Sequence, residues 1–456
     1  MQMATRRGQI GRWGSVLAAM LCSASMAAEA GSTNLHSIDL STALRLAGVQ
    51  SLEVLVAGEQ LKLAQANHEE ARLRFFPWLE PGLGYRRHEG NLQDVSGNIL
   101  EVSKQSYAAG ASLNAMVEIG EAIYDSLAAK QLVRAAEEGL DAKRQEAALG
   151  AATGYFELAR AKAAVGVAGD GLRIAEDYAG QVERAVAAGL AFKGDAHRAA
   201  ARAGQSRLLL RQAEEQQQVA SARLVQILRL EPGVLLDPQD SELAPLSLVE
   251  SHLALSSLVA QALVSRPELR QSKAFTESAR EQSRGAKYGP LVPTLRAQAS
   301  FYGLGGGQRD DWGNFDEGQD YSVGLSWRIG PGGLLDGGRV RAASARAQAS
   351  SLELDKLRDE VTRQVIEAHA RATSLADQIL LAQQTMAAAQ ETFKLSQERK
   401  EFGVGAVLET IQAEQEYVLA RQDYLRVLAE HNTVQFRLRA ALGQPLAGVD
   451  AALDGD

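Results

Sequence analysis

Residues 319–329 read Gln-Asp-Tyr-Ser-Val-Gly-Leu-Ser-Trp-Arg-Ile. Tyr321, Val323, Leu325, Trp327 and Ile329 fall on one face, and Asp320, Ser322, Gly324, Ser326 and Arg328 on the other. Such alternation predicts a strand. The segment before it alternates too, with Leu295, Ala297, Ala299 and Phe301 against Thr294, Arg296, Gln298 and Ser300. Weaker counterparts lie around Leu79–Tyr85 and Tyr107–Val117. Polar loops, Glu89–Glu101 and Gly305–Gly318, separate the members of each pair.

Elsewhere the period is helical. A helix is predicted before each strand pair, over about 39–74 and 256–286. A very long tract follows each pair, about 120–188 and 338–401, then a Gly-containing turn and another helix, about 195–230 and 407–442. Leu352, Leu354, Leu357, Val361, Val365 and Ala368 recur at three- and four-residue spacing, a helix–helix packing seam. At 1.5 Å per residue the long tracts reach on the order of 100 Å.

The chain repeats itself. Gly189 and Asp195 recur as Gly403 and Glu409 at a constant offset, with Ala199 matched by Ala413. Each copy then breaks at a proline, Pro232 or Pro445. The units run over 38–230 and 256–445, joined by a proline-marked linker, 231–255, and followed by a short tail, 446–456. Residues 1–28 read as a signal peptide: Arg6, Arg7 and Arg12, an apolar run to Leu21, then Ala27 and Ala28. Cys22 is the sole cysteine and falls in that signal; Leu21 before it is not the small residue that lipidation wants. No other apolar run is long enough for a membrane helix.

A membrane can still be crossed by a β-barrel. Of 24 aromatic residues, 12 lie in 75–107 and 288–327. That concentration, on an alternating face, suits a wall with lipid outside and water inside, with Tyr321, Val323, Leu325, Trp327, Leu295 and Phe301 toward lipid. A half-buried sheet in a soluble domain is the plainer alternative. Four strands cannot close a barrel, and an open edge in lipid leaves backbone groups unpaired. Several copies must share one barrel, and three would supply about twelve strands.

Composition removes other classes. With 48 basic and 56 acidic residues the net charge is −8, and no basic stripe marks a nucleic-acid partner. Seven histidines, at 36, 68, 88, 197, 252, 369 and 431, lack ligand spacing and are expected at scattered surface positions. Gly303-Leu-Gly-Gly-Gly307 lacks the Lys-Ser/Thr ending of a phosphate loop and reads as a mobile extracellular turn. No nucleophile–base set and no cofactor motif is present, so neither enzyme activity nor a cofactor is expected.

Four stretches, in this order and spacing, resemble the TolC-type outer-membrane efflux proteins: Arg266-Pro267-Glu268-Leu269, Val323-Gly-Leu-Ser-Trp327, Asp336-Gly-Gly-Arg339, and Gly403 with Glu409-Thr-Ile-Gln-Ala413. The resemblance runs from about Ile38 to Pro445. It implies a mainly α fold with a small β part: long antiparallel helices forming an α-barrel across the periplasm, and four strands per chain in a shared twelve-stranded β-barrel. It implies a homotrimer in outer-membrane lipid, docked to a periplasmic adaptor and an inner-membrane pump, exporting substrate passively. By resemblance Gly189–Asp195 and Gly403–Glu409 are turns at the periplasmic tip. Acidic residues six and nine positions after the second glycine ring the gate; Glu409 matches and Gln412 does not. The first half departs from the pattern at Ala122-Ile-Tyr-Asp125 and at Leu52, where the second half has Pro267. Asp195 and Glu409 read equally well as first-turn carboxylates complementing helix N-termini. The alternative function is a periplasmic coiled-coil structural protein without a pore.

Overall fold

The computed structural model describes residues 35–239, 243–249, 253–309, 311–401 and 407–446. In chain order the elements are β1 (Leu35–Ile38), α1 (Leu40–Gln50), α2 (Leu52–Leu73), β2 (Trp78–Gln93), β3 (Ile99–Glu118), α3 (Ile119–Ala187), α4 (Lys193–Leu228), β4 (Leu235–Pro238), α5 (Leu255–Ser265), α6 (Pro267–Tyr288), β5 (Thr294–Gln308), β6 (Asp316–Ser326), α7 (Gly337–Glu401) and α8 (Val407–Ala441). Two helix–helix–strand–strand–helix–helix units follow one another. The signal segment, Cys22, Gly403 and His252 lie outside the described residues.

The helix before each strand pair is broken, where one continuous helix is predicted. Arg266 sits at ψ 126°, because the ring of Pro267 disfavours the helical conformation in the residue before it. Pro267 then starts α6, where its missing N–H costs nothing. Ser51 takes the same extended shape, ψ 132°, before Leu52. Leu52 and Pro267 thus hold the same first-turn position. Leu40–Leu73 is long and apolar enough to cross a membrane. It bends at Ser51 and lays Ala43, Leu44 and Ala47 into a core shared with α3 instead.

α3 has 69 residues and α7 has 65, about 100 Å each. Small side chains let neighbouring helices approach: Ala148, Ala151, Ala152 and Ala159 of α3 are buried, and Gly154 faces Leu224 and Ile227 of α4. The first half's core gathers α1, α3, α4 and the parallel pair β1–β4. The second gathers α5, α6, α7 and α8. Phe436 of α8 reaches into the first core, 5.7 Å from Phe156. The segment predicted as a bare linker holds β4, whose backbone at Leu236 donates to the Ser221 hydroxyl.

The main sheet has the order β2-β3-β5-β6, antiparallel throughout. Its strands outrun the expectation, and the turns shrink. β2 and β3 meet at a short turn in which Asp94 Oδ1 accepts from the backbone N–H of Ser96 and Asn98. Gly303–Gly307 lies within β5, not in a turn. A side chain at Gly305 would collide with the Tyr107 ring and one at Gly303 with the Phe315 ring, so these glycines make room for aromatics. β6 ends at Ser326, so the expected strand to Ile329 is too long; Ile329 makes only an isolated bridge to Leu334.

Candidate functional site: a strand wall and the helix turns

Register decides which side chains share a face. Leu295 stands opposite Leu325 and Val117; Ala297 opposite Val323 and Ala115; Ala299 opposite Tyr321 and Leu113; Phe301 opposite Ala111. On β2 the row continues through Leu79, Pro81, Leu83 and Tyr85. One face is therefore apolar on all four strands from the level of Leu295 to that of Ala299, and on β2, β3 and β5 up to Tyr85 and Tyr107, while β6 presents Gln319 and Glu317 at the levels of Phe301 and Gly303. The other carries Glu80, Arg86, Asn114, Ser112, Arg296, Gln298, Ser300, Asp320 and Ser322. Val323 and Leu325 are exposed, as are Tyr321 and Phe301, which meet edge to face at 5.7 Å; Leu295 is half-buried.

Aromatics mark both ends of the apolar band. At one end Trp312 stacks on Tyr85 at 5.6 Å, and Tyr107 stacks on Phe315 at 5.8 Å. At the other, Trp327 lies just past β6 and donates from Nε1 to the Leu291 carbonyl at 3.2 Å. Trp327 is thus a rim residue rather than part of the strand wall. From the level of Leu295 to that of Gly305, a strand tilted by about 40° rises about 25 Å, the height of an outer-membrane apolar band. β2 and β6 are open edges within this chain. With four strands the edges run in opposite directions, so β6 of one copy can continue antiparallel onto β2 of the next.

Strand passes into helix through a tight crossing. A Cβ on Gly120 would lie 2.2 Å from the Gly289 carbonyl oxygen, so only glycine permits it. Asp336 Oδ1 accepts from the Arg339 N–H and Oδ2 from the Gly332 N–H, which holds its carboxyl below the ordinary range and caps α7. Arg339 reaches Glu121 of α3 at 2.7 Å. The first half has Arg74 at 3.5 Å from Asp125 in place of the Asp-Gly-Gly cap.

Below the crossing, α2, α6 and α8 pack on α3, and α6 and α8 also pack on α7. Clefts follow one another along a single stripe of α3, from Ala136 and Gly139 through Leu149 to Thr153, Glu157 and Arg160. The opposite stripe of α3, with Ala151, Tyr155 and Leu158, carries β1, β4 and α1. The appended layer and the clefts therefore lie on opposite sides of α3.

At the far end α3 turns into α4. Gly189 takes φ +72°, its N–H donates to the Val186 carbonyl, and the Leu190 N–H donates to the Ala185 carbonyl. This is a glycine-dependent helix stop. Asp195 is in the first turn of α4, half-buried and 3.4 Å from Arg198. Glu409 is in the first turn of α8 and accepts from Arg399 of α7 at 2.6 Å. Gln412 is exposed. The structure thus puts Asp195 and Glu409 in equivalent first-turn positions, each beside an arginine.

Three contacts join the two hairpins above these turns, and the sequence reading did not find them. Arg202 of α4 grips Glu414 of α8 with Nε–Oε2 at 2.6 Å and Nη2–Oε1 at 3.0 Å. Arg421 of α8 lies 3.1 Å from Asp170 of α3. The Tyr178 hydroxyl donates to the Val407 carbonyl at 3.3 Å, and burial pushes its phenol up from its ordinary value. A signal existed: Arg202 falls in phase with the buried small residues Ala199, Ala203 and Ser206, and Glu414 with Thr410, Ala413 and Val418. A charge in a packing seam needs a partner.

Among the described residues no three His, Cys, Asp or Glu side chains converge as a metal would require. His431 is buried, not at the surface as expected.

Residues 43–228 and 258–444 each match the model of the outer membrane efflux protein family. Protein CyaE of Bordetella pertussis is 28% identical over 341 residues, which is 71% of this chain and 69% of that protein. The outer membrane protein VceC of Vibrio cholerae superposes with a TM-score of 0.76 at 17% identity, over 89% of this chain and 96% of that one. The open-state MtrE outer membrane channel of Neisseria gonorrhoeae superposes with a TM-score of 0.73 at 20% identity, over 89% of each chain. The chain belongs to the outer membrane efflux protein family: it is an outer-membrane channel subunit whose strands contribute to a β-barrel and whose long helices contribute to a periplasmic tunnel.

Proposed function

We propose that three copies close a twelve-stranded barrel and a continuous helical tunnel, which serves as the passive exit duct of a tripartite efflux pump or a type I secretion system. One observation carries this reading: the four-stranded sheet has an apolar face and two unpaired edges. Water disfavours the face, and lipid disfavours the edges at several kcal/mol for each lone backbone group. Joining edge to edge with further copies satisfies both. A periplasmic coiled-coil protein without a pore would leave the apolar face uncovered.

The duct does no chemistry in this reading. An inner-membrane pump supplies the driving force, and a periplasmic adaptor meets the hairpin turns. Leu190 and Phe192, strongly exposed beside Gly189, offer apolar purchase there. Glu409 and Asp195 line the tip, and Gln412 leaves the mouth less acidic than two carboxylate rings would. Arg399 partly neutralises Glu409 in this conformation, so opening requires that pair to part. Single-channel recording of Glu409→Gln tests the gate. Higher conductance with a flattened acid response supports it; conductance and pH response equal to those of the unaltered channel remove Glu409 from the gate.

A further inference from the structure

The cleft nearest the Gly189 turn is basic. It has a volume of about 490 Å³ and lies between α3, α7 and α8. Arg160, Arg371, Arg426 and Arg437 line it together with Glu157 and Glu430. The two carboxylates are already engaged: Glu430 lies 3.6 Å from Arg426, and Glu157 lies 3.9 Å from Arg223 of α4. Arg426 is further held by Asp423 at 3.1 Å. Arg160, Arg371 and Arg437 come from three different helices and take part in no ion pair among the described residues. Arg371 and Arg437 are exposed, and Arg160 is half-buried.

This placement stands out in a chain of net charge −8. Among the described residues, seven of the 21 arginines on α3, α4, α7 and α8 pair with a carboxylate three residues away on the same helix, as Arg144 does with Asp141 and Arg358 with Asp355. Arg160, Arg371 and Arg437 do not, and they converge from three helices on one cleft. Here α8 turns Arg437 toward the clefts, opposite His431, Asn432 and Gln435. Asn432 and Gln435 hold the outer strap through the N–H groups of Leu246 and Leu248.

We propose that this cleft is an anion-binding belt, a transit site for solutes bearing a carboxylate, phosphate or sulfonate group. The proposal rests on the duct reading, because that reading places in the lumen the side of α3 opposite β1, β4 and α1. Guanidinium groups suit such ligands: each is a planar fork of donors that keeps its charge and pairs with two oxygens at once. Repeated around a ring, the clefts form a positive collar inside low-dielectric walls, which concentrates anions and disfavours cations.

The test is reversal potential in planar bilayers across a potassium chloride gradient, using the full assembled channel. The wild-type channel favours chloride. In the combined variant Arg160→Gln, Arg371→Gln, Arg437→Gln the chloride-to-potassium permeability ratio falls by about threefold or more. Inorganic pyrophosphate added on the periplasmic side reduces the wild-type current and leaves that of the variant unchanged. Should the combined variant fail to assemble, Arg371→Gln alone, a change at an exposed side chain, is read in the same way. An intact wild-type channel without anion preference, or a variant matching it in permeability ratio and pyrophosphate response, overturns the belt and leaves the duct standing. A wild-type protein that forms no channel overturns the duct itself.

Discussion

Arg202 of α4 and Glu414 of α8, one from each half of the chain, form a two-pronged ion pair with side chains only 9% and 4% exposed. It welds the first hairpin to the second close to the Gly189 turn. Buried charges of this kind are expensive to leave alone. Arg202→Leu or Glu414→Gln is expected to cost about 3–5 kcal/mol. Replacing both, as Arg202→Met with Glu414→Leu, recovers most of that loss. Thermal unfolding of the detergent-extracted assembly measures all three. A double variant as unstable as the sum of the singles contradicts the coupling.

Gly120 and Gly289 touch backbone to backbone where barrel becomes tunnel. Gly120→Ala pushes a methyl group to 2.2 Å from a carbonyl oxygen that cannot swing aside. Gly305→Ala meets the end of the Tyr107 ring instead, and a side chain can move. The amount of heat-modifiable oligomer in outer membranes is expected to collapse for Gly120→Ala and to fall only mildly for Gly305→Ala. Equal effects would contradict the assignment of the crossing.

His431 packs beside Asn432 and Gln435, the residues that hold the strap at 244–248. Burial pushes its imidazole below the ordinary value of 6.5. The folded protein therefore favours the neutral ring more strongly than the unfolded chain does. Its contribution is fully present above about pH 6.5 and shrinks as the pH falls below that value, because the unfolded chain gains the proton first. The thermal midpoint is expected to drop between about pH 7.5 and about pH 5.5, and His431→Gln is expected to flatten that drop. A variant that keeps the full acid sensitivity places the titration elsewhere.

Val323 and Ser322 are neighbours on β6 but occupy opposite faces. With lipid outside, Val323→Arg is expected to cost about 2–4 kcal/mol near the bilayer midplane. Ser322→Arg faces water and is expected to be tolerated within about 1 kcal/mol. Refolding into phospholipid vesicles measures the difference. A reversed order would turn the barrel inside out.

Much of this arrangement was legible in the residues. The alternation from Tyr321 to Ser326 already separated the apolar face from the polar one, and the repeat of Gly189 and Asp195 at Gly403 and Glu409 exposed the tandem plan. What escaped was decided by partners far away in sequence. Gly303–Gly307 looks like a turn until Tyr107, about 200 residues earlier, is seen to fill the space its missing side chains leave. The extended shape at Ser51 has no proline to announce it. β1 is four residues long, and its strand partner β4 comes from the segment after the first repeat, about 200 residues later. Arg202 and Glu414 each fall in phase with buried small residues, but that they meet each other follows only from the crossing of α4 and α8.

In the proposed trimer one chain supplies one third of the pore. Native mass spectrometry of the protein extracted from outer membranes tests this most directly. Three chains per particle, with no stable single chain, is the predicted result; a particle of one or two chains would contradict the shared twelve-stranded barrel.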